Sequence, residues 1–184
     1  MRTSAKRLLL VGGLGAGWCW LVRARGAGSP YRFPADVTDA AIIPASPDAV
    51  YQALIAEGDG ETDWWAPHHR MRLRRGDSCA DVGAIVDNTV LVRGRFPIRF
   101  VTRTASVVPG EEIRIEYIDG AFRGAAQWSL RAADGGTRVS LRWRTTPAGS
   151  LGTMAAILPV EKSHSDTMKV GFEKLDAYLA RHTA

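Results

Sequence analysis

The stretch from Ile113 to Thr146 reads IRIEYIDGAFRGAAQWSLRAADGGTRVSLRWRTT and alternates apolar and polar residues almost one by one. It divides into three runs, separated by Asp119-Gly120 and by Asp134-Gly135-Gly136. Residues two apart in a strand share a face, so each run has one apolar and one polar face. The residues at the joints tolerate the positive φ that tight hairpins require. The stretch therefore predicts three consecutive antiparallel strands that pack on one side only.

The two faces of this predicted sheet differ in chemistry. The apolar face carries Ile113, Ile115, Tyr117, Phe122, Gly124, Ala126, Trp128, Leu130, Val139, Leu141 and Trp143. The polar face carries Arg123, Arg138, Arg142 and Arg144. A solvated strand face is the simpler interpretation of these arginines, and a basic surface patch is the alternative. Their outward position makes them poor candidates for catalysis.

The sequence before this stretch predicts a strand, helices and further strands. A first strand is expected over residues 37–43, followed by a helix that starts at Ser46-Pro47-Asp48, with an N-cap, a proline at the first helical position and an acid in the first turn. A second short helix is expected around Asp63, Trp64 and Trp65. Short alternating runs predict strands over residues 70–74, 84–92 and 97–108.

A single amphipathic helix is predicted to close the chain, from about Val160 to Arg181. Met168, Phe172, Leu175 and Leu179 recur at spacings of four, three and four, so they form one apolar stripe. Glu161 and His164 extend this stripe toward the helix start. The apolar residues 151–158, which precede the helix, are a candidate lid.

Composition and charge fit one globular domain without a nucleic-acid partner. The chain has 184 residues, of which 46% are hydrophobic and 23% charged. Residues 1–32 hold six basic side chains and no acid, which leaves 18 Lys and Arg against 19 Asp and Glu in the remainder. The net charge of +5 thus belongs to the N-terminus, and the domain itself is near neutral. Cys19 and Cys79 supply neither a disulfide framework nor a metal cluster.

The N-terminal residues predict a membrane anchor or signal segment over 1–26, a linker over 27–35 and a domain over 36–184. The uncharged residues 8–22 have the length of a signal-peptide core and fall short of the roughly 20 residues of a typical span. Arg23 and Arg25 crowd the cleavage site expected at residues 24–26, which favours an uncleaved anchor. The free α-amino group places the N-terminus inside, so the domain would face away from the cytoplasm. Secretion after cleavage is the alternative.

The predicted order of one strand, two helices, six strands and a long helix resembles the START-like superfamily, also called SRPBCC or Bet v 1-like, which includes the polyketide cyclase/dehydrase proteins. The motifs that carry this resemblance are SPDAVY at 46–51, DWWAP at 63–67, FRG at 122–124 with Trp128, GTRV at 136–139 with Trp143, and MKVGF at 168–172 with Leu175. They lie within residues 37–180. The resemblance implies an α+β helix-grip fold: a seven-stranded antiparallel sheet curled around the C-terminal helix, with two short helices after the first strand. Because the superfamily contains lipid carriers, hormone receptors and cyclases, it implies no single activity.

The resemblance also implies a hydrophobic cavity between the sheet and the last helix. The residues expected to bind a ligand there are Trp65, Tyr117, Trp128, Leu141, Trp143, Met154, His164, Met168 and Phe172. An interior of aromatic side chains and methionine with few polar groups suits an apolar ligand. The favoured hypothesis is therefore binding, without catalysis, of a lipid, quinone-like or polyketide-like molecule.

An enzyme of the cyclase or dehydratase kind is the second hypothesis. His164 and Tyr117 are its candidate acid/base pair, although a general base needs a partner that fixes its tautomer, and the sequence shows none. His68 and His69 are interpreted as loop histidines without a role. No catalytic triad order, phosphate loop, dinucleotide fingerprint or metal spacing occurs, so no cofactor and no metal are expected. A third hypothesis is a module that binds a membrane surface or a protein through the arginines of the sheet.

Overall fold

The structure, a computed structural model, describes residues 34–149 and 159–182. Its strands are β1 (Ala35–Ile43), β2 (His69–Arg75), β3 (Ile85–Val92), β4 (Phe96–Val108), β5 (Glu112–Gly120), β6 (Phe122–Ala133) and β7 (Gly136–Pro147). Its helices are α1 (Pro47–Asp59) and α2 (Val160–His182). The described strands form one antiparallel sheet in the order β1-β7-β6-β5-β4-β3-β2. The sheet curls around α2, which confirms the predicted helix-grip fold.

The alternation in the quoted stretch gives the faces that it predicts. Tyr117, Trp128 and Trp143 lie on the inner face of β5, β6 and β7, where Trp128 pairs with Ile113 and Leu141. The outer face carries exposed arginines, and Arg142 pairs with Asp36 of the edge strand β1. Apolar side chains therefore collect on the side of the sheet that faces α2.

Helix α1 begins with the predicted chemistry. The Ser46 hydroxyl accepts a hydrogen bond from the Ala49 N–H at 3.2 Å, and Pro47 is the first helical residue. The helix ends at Gly60, whose φ of +81° is a left-handed conformation that favours glycine. Here the N–H groups of Gly60 and Glu61 reach back to the last carbonyls of the helix.

The second short helix expected around residues 63–65 is a hydrogen-bonded turn over residues 64–68. The Glu57 carboxylate accepts the Trp64 and Trp65 N–H groups at 2.9 and 3.2 Å, so a side chain of α1 satisfies donors that a helix start would leave free. Pro67 then restricts the residue before it to non-helical conformations. Together they hold the two tryptophans in place without a helix.

Helix α2 closes the molecule with the predicted stripe. Met168, Phe172, Leu175 and Leu179 are all buried against the rest of the core. Each fully buried aliphatic or aromatic side chain of this size contributes about 1.5–3 kcal/mol to folding. No helix in residues 34–149 or 159–182 has the length and apolar character of a membrane span. The expected anchor, its cleavage and orientation, and the lid at 151–158 lie outside the described residues.

Candidate functional site

A cavity of about 460 Å³ lies between the inner face of the sheet and α2. Its volume falls within the 300–1,000 Å³ that is typical of small-molecule sites. Seven of the nine residues expected to bind a ligand line it: Trp65, Tyr117, Trp128, Leu141, Trp143, His164 and Met168. Phe172 is buried beside it and packs edge-on against the Trp128 ring at 6.3 Å. Met154 lies outside the described residues.

Aromatic rings in mutual contact form much of the cavity wall. Phe100, Tyr117 and Phe122 lie within 5.1–5.9 Å of one another, and Phe122 packs edge-on against Trp143 at 5.3 Å. Such tilted and edge-on pairs are the favoured geometry of aromatic side chains. The wall is therefore apolar and suited to flat or chain-like hydrocarbon.

His164 stands at the wall formed by β1, β7 and α2. Its Nδ1 lies 3.0 Å from Oδ2 of Asp39, and its ring stacks on Trp143 at 4.4 Å. Burial raises the pKa of Asp39, but the hydrogen bonds from His164 and Ser165 outweigh it and hold the pKa below the usual value. Asp39 is thus ionised at neutral pH and accepts the Nδ1–H, so Nε2 is the ring nitrogen of His164 that is left for a substrate. This is the partner that the sequence did not show.

The position of Asp39 in the alternation of β1 could have identified it from the sequence. It shares the inner face of β1 with Val37, Ala41 and Ile43, so it is a charged residue at an apolar position of an alternating strand. A polar residue in the wrong parity is a candidate for an inward-facing role.

His69 does not lie in a loop, contrary to the sequence-based interpretation. It is the first residue of β2, is only 9% exposed and lines the cavity. Trp65 packs edge-on against the His69 ring at 4.7 Å. The Nε2 of His69 lies 3.0 Å from Oδ1 of Asn88. Burial lowers the pKa of His69 to about 4, against the effect of that hydrogen bond, so the ring is neutral at pH 7. His68 belongs to the preceding turn.

Two further polar side chains extend this arrangement. The Asn88 amide donates to the Val86 carbonyl and to the Thr102 hydroxyl, both at 3.0 Å. Asn88 and Thr102 are 5% and 4% exposed, and both line the cavity. Neither was predicted, although Asn88 alternates with Val86 and Val90 and so also stands at an apolar position.

Tyr117 and Cys79 line the same cavity with neutral groups. Burial raises the pKa of the Tyr117 hydroxyl, against the effect of a hydrogen bond from the Trp143 indole. Burial, followed by the nearby charge of Asp59, raises the pKa of the half-buried Cys79 thiol. A protonated thiol is a poor nucleophile.

Across the part of the chain that the structure describes, no three His, Cys, Asp or Glu side chains gather closely enough to hold a metal ion.

The family of this chain follows from its sequence. A family model described as polyketide cyclase/dehydrase and lipid transport matches residues 34–180. The chain therefore belongs to the polyketide cyclase/dehydrase and lipid transport family, within the START-like superfamily, as the motifs predicted. The comparison with curated proteins found no match for the chain.

Solved structures share the fold at low sequence identity. A Zhui aromatase/cyclase from a Streptomyces species has a TM-score of 0.66 at 15% identity, covering 82% of this chain and 96% of that one. A protein from Thermus thermophilus has a TM-score of 0.66 at 16% identity, covering 82% and 100%. A protein from Mycobacterium smegmatis has a TM-score of 0.60 at 14% identity, covering 81% and 93%. At these identities the similarity establishes the fold alone.

Proposed function

We propose that this protein binds a hydrophobic small molecule in the cavity between the sheet and α2. The observation that carries the proposal is the 460 Å³ space walled by aromatic and aliphatic side chains, with few polar groups. Burial of apolar ligand surface there gains about 25 cal/mol per Å². The family description, which includes lipid transport, supports the same class of ligand. A lipid, quinone-like or polyketide-like compound remains the predicted occupant, and attachment to a membrane through residues 1–26 remains a prediction.

Native mass spectrometry after mild extraction, together with uptake of fluorescent fatty acids and quinones, tests this proposal. Ile115→Trp places extra volume in the cavity wall and is expected to reduce uptake at least about tenfold. Arg114→Trp is the matched control, because Arg114 is the exposed neighbour on the same strand. Protein that is consistently empty and takes up none of the probes would overturn the proposal.

Catalysis is the second candidate, and the pairing of His164 with Asp39 favours it. With Nδ1–H donated to Asp39, Nε2 can accept a proton from an activated C–H or O–H group of a bound substrate, and the carboxylate stabilises the resulting imidazolium. The Tyr117 hydroxyl, held protonated by burial, would donate to a developing oxyanion. These are the roles required for cyclisation or dehydration of a polyketide-like chain.

Turnover of a synthetic poly-β-ketone, followed by mass spectrometry, tests the catalytic candidate. Alanine at His164 and at Tyr117 should abolish product formation while binding of the ketone stays measurable. Ser163→Ala is the control, since Ser163 also lines the cavity and neighbours His164. Unchanged turnover in both variants would exclude this acid/base pair.

A further inference from the structure

The hydrogen bonds around Asn88 fix the orientation of its side chain. Its Nδ2 lies 3.0 Å from the Val86 carbonyl oxygen, which can only accept. A flipped amide would bring two oxygen acceptors together at that distance. The second Nδ2 hydrogen is directed to the Thr102 hydroxyl. Oδ1 of Asn88 is therefore an acceptor and faces His69.

This orientation fixes the tautomer of His69. An acceptor 3.0 Å from Nε2 requires that Nε2 carries the hydrogen. The imidazole is neutral at pH 7, because burial lowers its pKa. Nδ1 therefore has no hydrogen and carries a lone pair. Asn88 positions the ring and selects the form that it adopts.

His69 Nδ1 is an accessible, unpaired nitrogen on a residue that lines the cavity. Nδ1 makes no hydrogen bond with any residue in the described ranges. It is also not among the side-chain atoms there that are fully buried without a partner, which are Trp65 Nε1 and Thr145 Oγ1. Nδ1 therefore has accessible surface, and His69 is a wall residue of the cavity. A hydrogen-bond acceptor is thus offered to whatever occupies the space.

The charge of the surroundings restricts which donor this acceptor can take. No Asp or Glu is among the described residues that line the cavity. An ammonium group would thus enter an apolar space without a counter-charge, at a large cost in desolvation. Arg93, which follows β3, is the one Lys or Arg among the described lining residues and could attract a carboxylate to that part of the cavity. At His69 itself, a carboxylate would oppose its own lone pairs to that of Nδ1. A neutral hydroxyl satisfies both conditions.

We propose that His69 Nδ1, oriented through Asn88, is a recognition site for a neutral hydroxyl group on an otherwise apolar ligand. The inference rests on the proposed function and adds the polar group that the ligand carries. One charge-neutral hydrogen bond inside an apolar cavity gives orientation and selectivity, while the apolar wall supplies most of the affinity. His69 and His164 then mark two separate polar points along the cavity.

Three probes of similar shape test the proposal on the full chain: para-hexylphenol, its methyl ether para-hexylanisole, and para-hexylbenzoate. Calorimetry at neutral pH should show the phenol binding about tenfold more tightly than the ether, with the benzoate weaker than the phenol. His69→Phe keeps a ring but removes the acceptor, so the preference for phenol over ether should vanish. His69→Gln can donate to Asn88 through its amide and still offer an oxygen, so it should retain the preference. Arg70→Gln, at the exposed neighbouring position on β2, is the control and should bind all three probes as the wild type does.

Nitrogen NMR of the imidazole separates hydroxyl recognition from a purely structural role of His69, because a structural role would not make its signals depend on the probe. The free protein should show His69 with hydrogen on Nε2, and the Nδ1 signal should shift with the phenol but not with the ether. Hydrogen on Nδ1, or equal affinities of the wild type for phenol and ether, would overturn the inference and leave the proposed function intact. Binding of none of the three probes would instead overturn the proposed function, and the inference with it. If His69→Phe does not fold, the tautomer seen by NMR and the probe preference of His69→Gln still decide the test.

Discussion

Two histidines line the same cavity, one on the edge strand β2 and one on α2 beside the other edge strand β1, and they differ in the partner that holds them. His69 on β2 donates through Nε2 to the amide oxygen of Asn88. His164 on α2 donates through Nδ1 to the carboxylate of Asp39 on β1. The side chains of His164 and Asp39 keep 14% and 18% of their surface exposed, and the whole residues His69 and Asn88 keep 9% and 5%.

The difference shows how a partner decides what a histidine can do. A carboxylate stabilises a protonated ring, so the His164 pair can accept a proton and hold the resulting charge. An amide offers no such charge, and burial keeps His69 neutral and limits it to hydrogen bonding. One cavity thus combines a point suited to proton transfer with a point suited to recognition.

The largest expected effect is a loss of folding stability at low pH that comes from His69. The pKa of folded His69, about 4, lies below the ordinary 6.5, so the unfolded chain takes up its proton first as the pH falls. This contribution to stability is complete above about pH 6.5 and declines down to about pH 4, by about 3 kcal/mol in total. Urea unfolding at several pH values should show that loss in the wild type.

The matched variants isolate this contribution from that of the carboxylates. His69→Gln should lose about 3 kcal/mol less than the wild type between neutral pH and pH 4. His164→Gln should still lose the stability that His69 contributes, by as much as the wild type does. An identical acid profile for the wild type and His69→Gln would contradict the enclosed, neutral state of His69.

Removal of the partner should have a smaller and unequal effect at the two histidines. Asn88→Ala leaves the His69 Nε2–H and the Val86 carbonyl without their side-chain partner in an enclosed space, which costs about 2–3 kcal/mol of unfolding free energy. Asp39→Ala breaks a more accessible pair and should cost about 1 kcal/mol. Chemical denaturation at neutral pH measures both, with Thr89→Ala as a control on β3. Equal losses would mean that the two sites do not differ in enclosure.

The sequence predicted one of these histidines and missed the other for a physical reason. The stripe of α2 is periodic within one segment, so the inward position of His164 could be deduced locally. His69 opens β2 directly after a turn, one residue before the strand expected from Arg70, although it shares the parity of Met71 and Leu73. Its partner Asn88 belongs to β3, and this pairing depends on the register between strands. Such contacts across elements are not encoded in the spacing of one segment.

The fold was more predictable than the site because alternation and capping are local. Strands β5 to β7, the start of α1 and the extent of α2 each followed from neighbouring residues. The turn at residues 64–68 depends instead on Glu57, which lies several residues away on α1. Asp39 and Asn88 gave a readable signal as polar residues at apolar positions, although parity alone names no partner.

The smallest expected effect concerns Gly171, where α2 passes the His69 side of the cavity. A Cβ at this position would lie 2.5 Å from Cε2 of the Trp65 ring, which packs between Trp64, His69 and Trp128 and has little freedom to move. Alanine favours a helix over glycine by about 1 kcal/mol, but overpacking costs about 1–3 kcal/mol, so Gly171→Ala should destabilise the protein by about 1 kcal/mol. Because Trp65 contacts the His69 ring, the imidazole signals of His69 should shift more than those of His164. Glu173→Ala, exposed on the same helix, should shift neither, and a stabilised Gly171→Ala protein would show that Trp65 yields more easily than its contacts imply.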